Sequence, residues 1–284
     1  MQNLQTLIGQ LEKGRKLHIS ILDFSGILNT PLTKIEFKNV IHSKKFCDIA
    51  KSTPRGYRAC MRSKRLANTK AITDGMPFGG QCIYGLYEAA VPVVMDKTVM
   101  AVVYAGNAVI DEKRTEDRIK KTCRHTGVSE KELCEQLNQC EYTDSMEELA
   151  QAAEIVSDYL KMLYSNAPKT KSELHWLVAL MKHYADESFC SNICLKELAI
   201  TYQKNEKYMG QLFKKEMGIC FHQYCNGLRL QKAEKLLLHS DEKIIDISLD
   251  CGFNNISYFN RIFQKKYGVS PTEYRTGQKK SCSP

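Results

Sequence analysis

The chain has 284 residues, 43% of them hydrophobic and 26% charged, with 16 Gly and 7 Pro; this excludes a short peptide scaffold and a disordered or fibrous chain, and is enough for one or two buried cores. Forty-one Lys and Arg against 32 Asp and Glu give a net charge of +9, a surplus that suits polyanions such as nucleic acid. There is no run of about 18 apolar residues and no basic start followed by an apolar segment. The twelve cysteines are therefore expected as reduced thiols in a cytoplasmic protein with no membrane partner.

In chain order, residues 17–26 read as a strand into a turn, and residues 34–40 alternate with period two as a second strand. Pro54 opens a basic helix that stops at Asp74-Gly75-Met76-Pro77. Strands follow around residues 81–84 and over residues 87–107. Residues 116–140 and 145–164 read as helices, the second with Leu149, Ala152, Ile155 or Val156, Tyr159 and Leu163 on one face. The simplest account is an antiparallel sheet with helices on one side, an α+β domain.

Residues 165–172 are small, polar and Pro-containing, as a linker should be. This places a first domain at 1–165, a linker at 166–172 and a second domain at 173–284. The first part carries 23 basic and 20 acidic side chains, whereas from residue 166 onward there are 18 and 12, so the shorter part holds twice the excess. Downstream of residue 170 only helical periods occur, which makes the second domain all-α.

That domain contains an internal echo: Asn205, Tyr208, Leu212, Phe213 and Gly218 recur fifty residues later as Asn255, Tyr258, Ile262, Phe263 and Gly268. Tyr208, Met209, Leu212 and Phe213 in one copy, and Tyr258, Phe259, Ile262 and Phe263 in the other, form an apolar helical stripe expected to be buried. The opposite faces project Lys207, Gln211 and Lys214, and Asn255, Ser257, Asn260, Arg261 and Gln264. These residue types hydrogen-bond base edges and phosphates. Each stripe follows a shorter helix, around 195–199 and 244–249, and a brief turn; this is the order of a helix-turn-helix, with double-stranded DNA as partner. A helix over residues 221–238, about 27 Å long, joins the copies and approaches the ~34 Å between successive major-groove faces. Gly210 is expected to interrupt the first recognition helix, at about 1 kcal/mol against Ala.

Ile244, Ile247, Gly252-Phe253, Ser257-Tyr258-Phe259, Arg261, Phe263, Lys265, Gly268, Ser270-Pro271 and Tyr274-Arg275 resemble the DNA-binding domain of AraC-type transcription regulators. The resemblance spans residues 174–275. Upstream, the spacing of Cys47, Pro54, Gly56 and Cys60, the Gly75-Met76-Pro77 turn and the segment Cys82-Ile-Tyr84-Gly85-Leu86-Tyr87-Glu88 look like the PocR-type sensory domain. That resemblance implies a PAS-like fold that takes small polar organic effectors such as short diols. The fold class expected is thus an α+β PAS-like sensor domain followed by an all-α DNA-binding domain with two helix-turn-helix motifs. The chain shows no catalytic motif and is not expected to be an enzyme; as a regulator it is expected to act as an activator with RNA polymerase as partner and to form a homodimer through the helix at 145–164, unless that helix packs only on its own sheet.

For a small polar ligand, Gln81, Tyr84, Tyr87 and Glu88 supply polar groups on one strand, with Cys47, Cys60 and Cys82 nearby in the motif; the tyrosines equally suit a core. The same three cysteines, with His42 as a fourth ligand, permit a metal- or redox-responsive switch, although the spacings are not those of a zinc ribbon. Buried cysteines also serve as small hydrophobes. No cofactor is required by any motif, and a metal is the alternative to an organic effector.

Overall fold

The computed structural model describes residues 2–41, 44–166, 174–190 and 195–281. Of the linker placed at 166–172, Asn166 closes a helix and the rest lies outside the described residues. The chain divides into two units, one built on residues up to Trp176 together with Ile200–Gln203, the other on Leu177–Ala199 and the chain from Lys204 onward. Among the described residues no helix is long and apolar enough to cross a membrane.

The N-terminal unit runs α1 (Leu4–Glu12), β1 (His18–Asp23), α2 (Phe37–Val40), α3 (Lys45–Ala50), α4 (Pro54–Asp74), β2 (Phe78–Gln81), β3 (Tyr87–Met95), β4 (Thr98–Val109), α5 (Glu112–Thr126), α6 (Glu130–Glu135), β5 (Glu141–Tyr142) and α7 (Met146–Asn166). The strands lie in the order β1-β4-β3-β2, antiparallel throughout, with β5 added parallel to β4. Asp96 and Lys97, both at positive φ (47° and 61°), close the β3–β4 hairpin in the form that matches strand twist.

Pairing aligns Ile19, Ala105 and Ala89 on one face of the sheet, with Ile21, Val103 and Val91 beside them. This face forms the main core with Leu4 and Ile8 of α1 and with Leu149, Val156, Leu160 and Leu163 of α7. The other face carries Ser20, Tyr104, Glu88 and Ala90 and meets α4 through Lys64. Helices therefore flank both faces, not one as the element order suggests. A second, smaller core gathers Phe46, Cys47, Tyr84, Leu86, Ile119, Cys123 and Leu133 from α3, α5, α6 and the turn before β3.

Three expected elements change. Residues 34–40 are not a strand but end in α2: Asn39 is fully buried and its amide donates to the Ile19 carbonyl (2.7 Å) and to Glu12 (3.2 Å), which turns the segment against β1 as a short helix. The strand expected at 81–84 is β2, which ends at Gln81; residues 82–85 form a turn in which the Gly85 N–H donates to the Cys82 carbonyl (3.0 Å) with Gly85 at φ 95°. The helix expected at 116–140 breaks after Thr126 into α5 and α6. On α7 it is Val156 that is buried, while Ile155 is 50% exposed.

Among its described residues the second unit has helices and no strand; from Trp176 the chain runs α8 (Trp176–Ser188), α9 (Leu195–Thr201), α10 (Glu206–Met217), α11 (Phe221–His239), α12 (Ile244–Asp250), α13 (Ile256–Tyr267) and α14 (Pro271–Ser281), the first residue of α8 and the last two of α9 counting with the first unit. Nineteen residues make α11 about 28 Å long. Its Leu230, Ala233 and Leu237 pack with Ile247, Phe253, Phe259 and Phe263 into one core.

Candidate DNA interface and effector site

The fifty-residue echo is a repeat of local physics. Asn205 caps α10 by accepting from the Tyr208 N–H (3.1 Å), and Asn255 caps α13 by accepting from the Tyr258 N–H (2.8 Å). Gly218 (φ 73°) and Gly268 (φ 82°) end the two helices in the left-handed conformation. Each is followed by a capped helix: Gln223 accepts from the Cys220 N–H (3.1 Å), and Glu273 accepts from the Ser270 N–H (2.8 Å). Met209 and Phe213 are fully buried, as are Phe259 and Phe263.

With those faces inward, Lys207, Gln211, Lys214, Asn255, Ser257, Asn260, Arg261 and Gln264 are all exposed. The Oδ1 of Asn255 is committed to its capping bond, so this residue's first role is to start α13. The guanidinium of Arg261 lies over the Tyr258 ring at 5.4 Å. Tyr258 is itself held by Asn226 of α11, whose Nδ2 donates to its hydroxyl (2.8 Å). Tyr267 and Tyr274 both donate to Glu234, at 2.9 and 2.6 Å, tying α13 and α14 to α11.

Two expectations are corrected. Tyr208 is not core: it is 48% exposed, because the apolar arc of α10 is filled by Met209 and Phe213 and, among the described residues, none plays the part Asn226 plays for Tyr258. Gly210 does not interrupt α10, which is continuous from Glu206 to Met217. A Cβ there would stand 3.3 Å from the Leu195 side chain, so the glycine lets α9 approach closely. Gly252 has the stronger constraint. It sits between α12 and α13 at φ 86°, and a Cβ would fall 2.4 Å from the Cys190 carbonyl oxygen.

In the sensor unit the expected effector residues separate. Glu88 lies on the α4 side of the sheet, where Lys64 reaches its two oxygens at 3.2 and 3.4 Å and stands over the Tyr104 ring. Tyr87 packs into the main core on the opposite face. Gln81 holds the 82–85 turn, donating to the Gly85 carbonyl (3.0 Å) and accepting from Arg118 (3.3 Å). Tyr84 is buried in the smaller core beside Thr126, whose hydroxyl donates to the Thr122 carbonyl (2.9 Å) and keeps lone pairs facing the Tyr84 hydroxyl.

Cys47, Cys60 and Cys82 come close enough to feel one another electrostatically. Burial pushes all three thiols up, and the neighbouring Cys60 adds to the effect on Cys47 and on Cys82, whose pKa reaches about 11. Glu88 raises each of them further, and Lys51 opposes at Cys47 and Cys60. Among the described residues no group of three or more His, Cys, Asp or Glu is arranged to hold a metal ion; His42 lies outside them.

Polar groups that the sequence reading missed are Lys64 on α4, Tyr104 beneath its ammonium, and Ser20 and His18 on the same face of the sheet as Tyr104 and Glu88. His18 is buried between Glu12 (3.4 Å) and the Ile41 carbonyl (3.2 Å). Burial works against the Glu12 carboxylate, yet the His18 ring and the Ile19 N–H hold its pKa below the usual value. The available signal was period two: His18 and Ser20 alternate with Ile19 and Ile21 in an otherwise apolar strand.

The family model described as the sensory domain found in PocR matches residues 1–167, and that described as a helix-turn-helix domain matches residues 198–277. Regulatory protein PocR of Salmonella typhimurium is 24% identical over 271 residues, covering 84% of this chain and 84% of that protein. The HTH-type transcriptional activator RhaS of Klebsiella pneumoniae is 30% identical over 116 residues, covering 41% of this chain and 40% of that protein. Among solved structures, the C-terminal domain of AraT, a response regulator from Geobacillus stearothermophilus, aligns at 30% identity with a TM-score of 0.36, over 37% of this chain and 88% of that one.

Proposed function

The chain belongs to the family built on the sensory domain found in PocR, joined to an AraC-type helix-turn-helix domain, and from that membership we propose a cytoplasmic, homodimeric transcription activator controlled by a small polar organic effector such as a short diol. The observation that carries the DNA reading is the repeat itself: two helices with identical caps bury matched aromatic faces and expose Lys207, Gln211 and Lys214, and Ser257, Asn260, Arg261 and Gln264. Residues of these types at the start of a second helix enter the major groove and contact phosphates and base edges.

The sensor reading rests on the sheet face toward α4, which we take as the PAS-like scaffold. An oriented Lys64–Glu88 pair and the Tyr104 ring beneath the Lys64 ammonium are the few polar groups on that face that would orient a small ligand in a mostly apolar surrounding. Burial raises the pKa of the Cys47, Cys60 and Cys82 thiols, the reverse of what a reactive redox thiolate needs, and this favours the organic effector over a redox switch. Ile155 and Met162, seven residues apart on the outer side of α7 and 50% and 38% exposed, support dimerisation. RNA polymerase is the implied further partner of an activator.

The deciding experiment is fluorescence anisotropy of the full chain on a selected operator. Arg261→Ala is expected to weaken binding by about 1–3 kcal/mol and relax selectivity at one position, whereas Lys214→Ala weakens all sequences alike and lowers the salt slope by about 1. Unchanged affinity and selectivity in both variants would refute the interface. For the effector, thermal melting of the full chain across short diols, with and without chelator, should show a rise indifferent to chelation; an effector at 100 times its Kd adds about 2.7 kcal/mol.

A further inference from the structure

None of the candidate effector residues lines the cavity of about 520 Å³ that the N-terminal unit holds beside α3, α6 and the end of β4. Its wall is unusually cationic. Arg15, Lys16, Lys44 and Lys45 contribute four positive charges against the single carboxylate of Glu135. Arg15 is compensated from outside the wall by Glu141 (2.7 Å) and Glu148 (3.3 Å), and the Lys16 ammonium donates to the Asn138 carbonyl. Neither Lys44 nor Lys45 stands within ion-pair distance of a described carboxylate, and Lys45 is exposed. Like charges around one concave surface repel, and an anion placed among them relieves that repulsion.

Two polar groups of the wall are fixed in ways the fold alone does not require. Asn107 lies in β4 at φ 64°, at the point where Tyr87 pairs with Ala108 but Glu88 with Gly106. It is the extra residue of a β-bulge, a device that re-aims a side chain. Its Nδ2 donates to the Lys16 carbonyl (3.1 Å) and its Oδ1 accepts from the Cys140 thiol (3.7 Å), so it braces the wall. Gln136 is the opposite case: its Oε1 is buried with no hydrogen-bond partner among the described residues. A buried acceptor left unpaired costs about 1–3 kcal/mol, which a donor from a ligand would remove.

We propose that this cavity binds a small hydroxylated oxyanion, a phosphate monoester or carboxylate whose anionic group lies on Lys44 and Lys45 and whose hydroxyl donates to Gln136 Oε1. This is a second ligand, of a chemical class distinct from the neutral effector proposed above. It stands whether or not that reading does.

The test is calorimetric titration of the full chain in about 0.15 M salt, where screening within ~8 Å suppresses diffuse attraction to the basic surface. The probes are glycerol 3-phosphate, inorganic phosphate and glycerol. Glycerol 3-phosphate should bind more tightly than inorganic phosphate, and the double variant Lys44→Glu/Lys45→Glu should weaken both at least tenfold. Lys44→Gln/Lys45→Gln, gentler on folding, should weaken both in the same direction. Gln136→Leu should bring glycerol 3-phosphate down to the level of inorganic phosphate while leaving the latter, and the melting temperature, undiminished. No binding by the unaltered chain, or binding that the charge variants leave unchanged, overturns the proposal. Glycerol binding that survives Lys44→Glu/Lys45→Glu belongs to the separate effector site and does not rescue it.

Discussion

Gly252 offers the sharpest test of how the second helix-turn-helix is held. Any L side chain at φ 86° pays about 1–2 kcal/mol for the left-handed conformation, and the Cβ of an alanine would also stand 2.4 Å from the Cys190 carbonyl oxygen and 2.9 Å from its carbon. That contact is with backbone, so relief requires a shift of the segment after α8, a further cost of about 1–3 kcal/mol by analogy with overpacked sites. Gly252→Ala should therefore destabilise α12 and α13 by about 2–5 kcal/mol. Gly268 is the internal control: φ is similar at 82° but nothing lies within 4 Å of its added Cβ, so Gly268→Ala should cost only the conformational part, about 1–2 kcal/mol. Gly210→Ala should gain up to about 1 kcal/mol of helix propensity, less whatever the Leu195 side chain loses by yielding. Hydrogen exchange reads the series, on peptides covering residues 244–267 for Gly252→Ala and Gly268→Ala and residues 206–217 for Gly210→Ala, at one decade of protection per 1.4 kcal/mol. Equal losses for Gly252→Ala and Gly268→Ala would refute the argument that the Cys190 carbonyl, and not φ alone, demands glycine.

Tyr258→Phe removes the shortest hydrogen bond of the buried Asn226 amide, leaving it the His222 ring at 3.3 Å, and should destabilise the second unit by about 1 kcal/mol with a matching loss of operator affinity; Tyr208→Phe, at an exposed site, should change neither, as chemical denaturation and anisotropy will show. Glu88→Gln strands Lys64, whose side chain is only 20% exposed, and should lower the melting temperature of the full chain by an amount worth about 1–3 kcal/mol; Lys64→Met added to it should recover part of the loss, and no recovery would mean the pair does not act as a unit. Alkylation reads the thiols directly. With its pKa raised from 9.0 to about 11, Cys82 at about pH 7.5 should react roughly 100-fold more slowly than in the unfolded chain and accelerate about tenfold per pH unit up to that value. Rapid labelling at neutral pH would revive the cysteine switch.

What was legible in the sequence was local. Asn205 and Asn255 as caps, Gly218 and Gly268 as stops, and Phe213 and Phe263 as core follow from spacings of three to thirteen residues, within reach of a helix's own hydrogen bonds. What was not legible depended on partners far along the chain. The alternation at residues 34–40 was real, but Asn39 answers to Glu12 and the Ile19 carbonyl, and those fix a helix. Tyr87 and Glu88 share a motif but not a site, because neighbouring strand residues face opposite ways and the bulge at Asn107 separates their registers. Lys64, the residue that orients Glu88, lies 24 positions upstream on a helix whose sequence reads only as basic.

The two copies of the DNA-binding repeat are not equivalent, and the difference bears on what each reads. In the second copy Tyr258 is pinned by Asn226, Arg261 lies over that ring, and Tyr267 and Tyr274 converge on Glu234. The surface of α13 is thus placed before DNA arrives, and a placed side chain spends less of its binding energy on ordering. In the first copy the ring equivalent to Tyr258 is the exposed Tyr208, and α10 is held to the joining helix by the edge-on packing of Phe213 against Phe221 and Tyr224, with Tyr224 donating to Asp186 (2.6 Å). Lys207, Gln211 and Lys214 therefore project from a helix whose buried face is packed through Met209 and Phe213 while the ring at Tyr208 stays exposed. Base reading, which needs bidentate geometry, suits the second copy; phosphate contact, which tolerates mobile ammonium groups, suits the first. A regulator so built would draw much of its selectivity from one half of its site and much of its salt-dependent affinity from the other.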